Sequence, residues 1–293
     1  MFETDYLHPE DFVARETYNA MRKSVQVLAL MAVGLALSSG VGCSKLQARD
    51  QLNKGVQSYK NAKYEEAIDH FQKAVSLDPA LLNARLYLAT AYAQQYIPGA
   101  DTEDNNRMAQ QAIDEYKAVL GHNPAREQKI NSTKGIAYLY LQMKKFEDSK
   151  NYYRKAVDLD PNDPESYYSV AVIDWTQAYQ PRMEERSKLG LKPEEPLKDK
   201  KVCAMLRDKN SDVIKDGIGM IDRALQLRPD YDDAMAYMNL LYRERADVQC
   251  DDPAARAADL KTADQWVDKT MAVKKIKAEK QPGAQGITLD QPK

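Results

Sequence analysis

The chain has 293 residues, of which 43% are hydrophobic and 29% charged, with a formal net charge of −2. That balance supports a packed core and gives no electrostatic basis for nucleic-acid binding. With 12 Gly, 13 Pro and 3 Cys, and no CxxC pair, a loop-rich β fold, a zinc site and a thioredoxin-type site all lack support.

Residues 1–20 are acidic and precede a basic segment, Met21-Arg22-Lys23-Ser24. They read as an extension upstream of a start at Met21. An apolar run, Val27 to Leu37, follows, then small residues 38–42 and Cys43. A basic n-region, an apolar h-region and a small-residue cleavage region make 21–42 an export signal. Val41, Gly42 and Cys43 resemble a bacterial lipobox, although Gly40 stands where Leu is usual. The resemblance implies cleavage before Cys43 and acylation of its thiol, with 43–47 as a lipidated linker. Several acyl chains anchor stably because each buried CH₂ contributes about 0.8 kcal/mol. An uncleaved membrane helix is the alternative, but 25–42 is short and contains Gln26, two serines and three glycines. Ser44 resembles an outer-membrane sorting signal, so the expected location is the bacterial cell envelope, at the outer membrane and facing the periplasm.

Internal repeats follow. The segment Tyr64 to Pro79 (YEEAIDHFQKAVSLDP) matches Phe146 to Pro161 (FEDSKNYYRKAVDLDP) position for position. Ala112 to Pro124 and Gly217 to Pro229 carry the same spacing of small, apolar and proline residues. These segments resemble helix B of the tetratricopeptide repeat (TPR), a 34-residue helix-turn-helix unit. The resemblance implies an all-α TPR solenoid of about five repeats over residues 48–280. Counting back from the prolines places Gly55, Ala89 and Tyr92, Ala137 and Tyr140, and Val170 and Ala171 where paired helices come closest. A fifth helix A covers 234–242 and its helix B covers 257–280. Two insertions are expected at A–B turns: about 94–107, and about 178–212, rich in charge and Pro. Residues 281–293 read as a disordered tail.

In TPR proteins helix A lines a binding groove. The resemblance carries this role to Leu52, Val56 and Tyr59 in the first repeat and Leu86 in the second. In the third it falls on Tyr138 and Leu141, and in the fourth on Tyr168, Val172 and Trp175. Leu240, Arg243 and Glu244 follow in the fifth. Such a partly apolar, aromatic surface suits a protein segment; alternatively, these side chains pack under the long insert. The Lys/Asn/Arg clamp of chaperone-binding TPRs is absent, its positions holding Leu52, Val56, Tyr87, Asn131 and Gly135. With Cys43 acylated, Cys203 and Cys250 remain as an even pair at A–B turns in an oxidising compartment, which makes a disulfide the structural expectation. Two buried free thiols are the alternative.

Asp158-x-Asp160-x-Asn162 lacks the Gly and Glu of a calcium loop and reads as an inter-repeat turn. No phosphate-binding loop, nucleophile elbow or HExxH motif occurs, so neither catalytic residues nor a cofactor nor a metal is expected. The expected function is a lipid-anchored scaffold that binds envelope proteins, and the resemblance to the TPR lipoproteins of outer-membrane machineries implies an assembly factor. The alternatives are a constitutive subunit of a large envelope complex, or an enzyme using the long insert as a lid over a polar cleft.

Overall fold

The computed structural model describes residues 43–192 and 195–280. The extension, the signal segment and the C-terminal tail lie outside them. All regular structure among the described residues is α-helical, and none of these helices is long and apolar enough to cross a membrane. The chain divides into two compact units, one ending at Tyr92 and one beginning at Ala93.

The first unit contains α1, described over 43–60, α2 (Tyr64–Leu77) and most of α3 (Leu82–Gln95), in which the division falls. Residues 43–47, expected as a linker, are the first turn of α1. Their sequence holds no Gly or Pro, and Ala48 one turn on is buried, so tertiary packing extends the helix. Gly55 on α1 meets Phe71 on α2, where a Cβ would stand 2.5 Å from the buried ring. Tyr87 on α3 stacks on the same ring, at 5.6 Å between centroids.

The second unit comprises α4 (Glu103–Gly121), α5 (Arg126–Gln142), α6 (Phe146–Leu159), α7 (Pro164–Lys188), α8 (Lys200–Leu227), α9 (Asp232–Asp247) and α10 (Pro253–Lys280). Each helix packs on its sequence neighbour, and α7 also touches α9. Such next-nearest contact between A helices is the signature of stacked helix pairs. Ala137, Val170 and Ile173 form one core with Tyr153. Ala171, Ile221, Met238 and Leu241 form the next.

Three of the four proline-marked repeat boundaries share one backbone conformation, whereas Asn123, before Pro124, has φ of 48°. Asp78, Asp160 and Arg228 cap α2, α6 and α8 with ψ of 90°, 86° and 88°. Each precedes a proline, which forbids the helical conformation there. Inside the repeats, Ala62 and Lys144 end α1 and α5 with φ of 57° and 58°. The next N–H in each case reaches back across the turn, Lys63 to the Ser58 carbonyl and Lys145 to the Tyr140 carbonyl, at 2.9 and 2.8 Å. This is the hydrogen-bond pattern of a Schellman cap.

Both expected insertions prove more ordered than a loop. At 94–107 only residues 96–102 are non-helical. Buried Asn105 ties that loop down: its amide donates to the carbonyls of Ile97 and Ala100, and its oxygen accepts from the Ile97 N–H. At 178–212, α7 simply continues to Lys188 and α8 begins at Lys200, leaving 189–199 as the connection. Pro181 lies within α7 without ending it. The extended helices enclose their own core of Ala178, Leu197, Cys203, Leu206, Ile214 and Val248. Cys203, in the first turn of α8, is joined by a disulfide to Cys250 in the α9–α10 loop, with Cα atoms 5.5 Å apart.

Two glycines give opposite expectations. A Cβ at Gly135 would sit 2.5 Å from the ring of Tyr116, whereas nothing lies within 4 Å of one at Gly219. Gly135→Ala should therefore destabilise by about 1–2 kcal/mol through overpacking, despite the better helix propensity of Ala. Gly219→Ala should stabilise by about 0.5–1 kcal/mol. Thermal unfolding of both variants checks the pair. Removing the disulfide by Cys250→Ser should cost about 2–4 kcal/mol, since the bond closes a long loop. Denaturant titration with and without reductant measures that loss, and the serine variant should ignore the reductant.

Candidate protein-binding groove

In the first unit Leu52, Val56 and Tyr59 share one face of α1 and are half-buried, as is Leu86 on α3. Tyr59 packs edge-on against Tyr64, with 5.3 Å between centroids.

In the second unit Tyr138 stands half exposed on α5, while Leu141 packs into the core around Tyr153. The remaining candidates converge on α7 and α9. Tyr168 lies 5.0 Å from Tyr231 and meets Tyr237 edge-on at 5.5 Å. Trp175 also meets Tyr237 edge-on, at 5.4 Å, and stacks on Tyr179 at 4.7 Å. The result is one row of rings, Tyr231, Tyr168, Tyr237, Trp175 and Tyr179. Edge-to-face pairs of this kind contribute about 0.5–1.5 kcal/mol beyond their buried area. Val172 and Leu240 are half-buried on the same two helices.

Sequence reasoning missed three members of the row. Tyr237 is three residues before Leu240 and Tyr179 four beyond Trp175, so helix phase alone could have found both. Burial pushes the phenols of Tyr168 and Tyr231 up, and for Tyr231 the neighbouring Glu165 carboxylate adds to it. Both stay neutral, and the Tyr231 hydroxyl donates to Glu165.

Glu244, expected to face the groove, is instead 2% exposed. Arg182 on α7 grips it through both oxygens, at 2.6 and 2.9 Å. Arg182 and Arg186 also share Asp247 Oδ2, at 2.9 and 3.1 Å. Arg186 further donates to the carbonyls of Lys192 and Glu195 and so pins the α7–α8 connection. Burial pushes the Glu244 carboxyl up to about 7, against the pull of Arg182. The Trp175 indole N–H faces Glu244 but falls short of hydrogen-bond geometry.

A second buried cluster joins α6, α7 and α8. Asp174 is fully buried and paired with Lys150. Lys150 also reaches Asp216 Oδ2 at 3.0 Å, and Arg154, one turn further along α6, pairs with the same oxygen. Burial pushes Asp174 up to about 7, against the pull of Lys150. Burial acts on Asp216 in the same sense, but Lys150 and Arg154 outweigh it and hold this carboxyl low. Each cluster ties charged groups to other helices, the arrangement of a structural lock. Among the described residues no group of three or more His, Cys, Asp or Glu is placed to hold a metal ion. Arg243 donates to Asn239 and to Asp264 at the surface. Cys43 is exposed and carries a free thiol.

The family model "Tetratricopeptide repeat" matches residues 52–81 and 135–163. No curated protein matches the chain. A crystal structure titled MamA protein is 11% identical and covers 80% of this chain and 96% of its own, with a TM-score of 0.52. MamA from residue 41 onward, from Desulfovibrio magneticus RS-1, is 14% identical and covers 78% and 96%, also with a TM-score of 0.52. A MamA RS-1 double mutant gives 14%, 80% and 97%, with 0.53. At these identities the likeness establishes the fold, an all-helical, TPR-like solenoid.

The two raised carboxyls make stability pH-dependent. Folded, Glu244 and Asp174 hold their protons up to about 7, against ordinary values of 4.5 and 3.8. Their contribution is full below those ordinary values and is lost as pH rises through about 7. The unfolding free energy should accordingly fall across that window, and Glu244→Gln and Asp174→Asn should each flatten the fall. Denaturant titrations from pH 4 to 8 supply the measurement, and equal slopes in all three proteins would refute the assignment.

Proposed function

We propose that the chain is a lipid-anchored scaffold of the bacterial cell envelope that holds a segment of another protein against α7 and α9. The observation that carries this reading is the row of rings around Trp175. Tyr168, Trp175, Tyr179 and Tyr237 are only partly buried, so the row offers apolar faces that neighbouring side chains hold in place. Aromatic groups of this kind supply most of the energy in protein interfaces because they bury a large area with few rotors to freeze. The TPR family match supports a binding module rather than a catalyst. Both perturbed carboxyls are committed to interhelical ion pairs, which supports the same choice.

Attachment follows from Cys43 in this reading. Its thiol is exposed, and the preceding basic, apolar and small-residue segments have the order an acylated cysteine requires. The anchor would fix the scaffold at the membrane, where assembly of envelope proteins gives it substrates.

Affinity purification of the tagged full chain from cross-linked, detergent-solubilised envelopes tests both halves. A defined set of envelope proteins should accompany the wild type. Trp175→Ala or Tyr168→Ala should weaken their retention by about 2 kcal/mol or more. Cys43→Ser should move the chain out of the membrane fraction. Retention unchanged in both ring variants removes the groove from this site, and a serine variant that stays in the membrane fraction removes the lipid anchor.

A further inference from the structure

The row of rings does not end at Tyr179. That ring lies over the Arg182 guanidinium at 5.4 Å, and with it borders an open pocket of about 430 Å³. Met183 and Leu260 supply apolar walls, and Arg243 and Arg256 supply charge from α9 and α10.

The charges in and behind this pocket do not cancel. Arg182, Arg186, Arg243 and Arg256 face Glu244, Asp247 and Asp264, which leaves one guanidinium in excess. Two of the guanidinium groups within reach of a ligand have donors to spare, while the unpaired Nε of Arg186 is buried. Arg256 reaches Asp247 only at 3.8 Å, beyond hydrogen-bond distance. Arg243 uses Nε and one terminal nitrogen, leaving the other without a partner among the described residues. Their side chains are 28% and 43% exposed, so both can meet a ligand. A guanidinium with free donors beside apolar walls favours a carboxylate over a neutral amide, because charge-assisted hydrogen bonds are about twice as strong as neutral ones.

We infer that this pocket receives an acidic side chain, Glu or Asp, of the partner segment whose apolar residues lie on the rings. The inference rests on the groove reading and adds the chemistry of the partner: an apolar residue with an acidic one close to it in the chain. All three nitrogens of Arg182 are engaged by Glu244 and Asp247, so it shapes the pocket floor, and Arg243 and Arg256 make the contact. Ion pairing at an open pocket also makes the interaction salt-dependent.

Two panels of short synthetic peptides test this against the full chain in detergent with its disulfide intact. One pairs a leucine with two glutamates at successive spacings; the other carries glutamines instead. At least one glutamate peptide should bind about tenfold more tightly than its glutamine counterpart, and added salt should shrink that margin. Arg243→Gln with Arg256→Gln should erase the preference, and because both side chains are partly exposed the doubly substituted chain should keep its melting temperature. Trp175→Ala should weaken both panels. Equal binding of the two panels, or a preference that survives the arginine substitutions, overturns the acidic pocket and leaves the groove standing. Binding of neither panel overturns both.

Discussion

Neighbouring helices in this chain, within a repeat and between repeats, meet across a residue too small to hold them apart, with a large ring set opposite. Gly55 receives Phe71 in the first unit and Gly135 receives Tyr116 in the second, and in each case a single methyl group would press into a buried ring. Helices of 14 to 19 residues such as α2, α4, α5 and α6 are marginal on their own. They persist because one stripe of each is buried this closely. The approach also decides what remains outside. Once the small residue and the ring have used one face of an A helix, the residues on its opposite face are left half-buried, and these are the positions at which Tyr168, Val172 and Trp175 stand.

The fourth repeat is held by different means. Its helices run past the usual length, and their extensions carry more charge than an apolar interface tolerates. Burying a carboxylate costs several kcal/mol unless a partner with good geometry returns it, so Arg182 and Glu244 add little net stability as a pair. Breaking the pair would be expensive, and that makes it a register device. The two-point grip of Arg182 on Glu244 admits one alignment of α7 against α9, and Arg186 extends the grip to the α7–α8 connection. The Cys203–Cys250 bond fastens the start of α8 to the loop that follows this same end of α9. Together they keep the row of rings and the arginine-lined pocket on rigid elements, which is where a binding site needs to be.

How much of this was legible depended on the range over which each constraint acts. The close-packed positions Gly55, Ala137 and Ala171 could be read because the backbone approach forces small residues there at a fixed spacing. The helix ends at Asp78, Asp160 and Arg228 could be read because proline restricts the residue before it. The extension over 178–212 could not. Its charge and prolines have the composition of a loop, and what makes it helical is the acids on α9, some 62 residues away from Arg182. Glu244 was misplaced for the same reason, since a glutamate on the polar side of a helical wheel reads as solvent-facing until a buried arginine appears opposite it. Asn105 shows the limit at short range: its bonds span only five to eight residues, yet nothing in the type of residue says that an asparagine will close a loop.

A row of rings can serve as core or as interface, and the difference lies in what holds each ring. Tyr168, Tyr237 and Trp175 touch one another edge to face, so every ring is oriented by its neighbours before any partner arrives. Ordering side chains at an interface ordinarily costs about 0.5–1.5 kcal/mol each. Here folding has already met that cost, because the same contacts stabilise the α7–α9 packing. A surface prepared in this way can bind a flexible segment while changing little itself. The lock around Glu244 then acquires its meaning beside Trp175: it fixes the helix that carries the central ring without placing an open charge next to an apolar ligand.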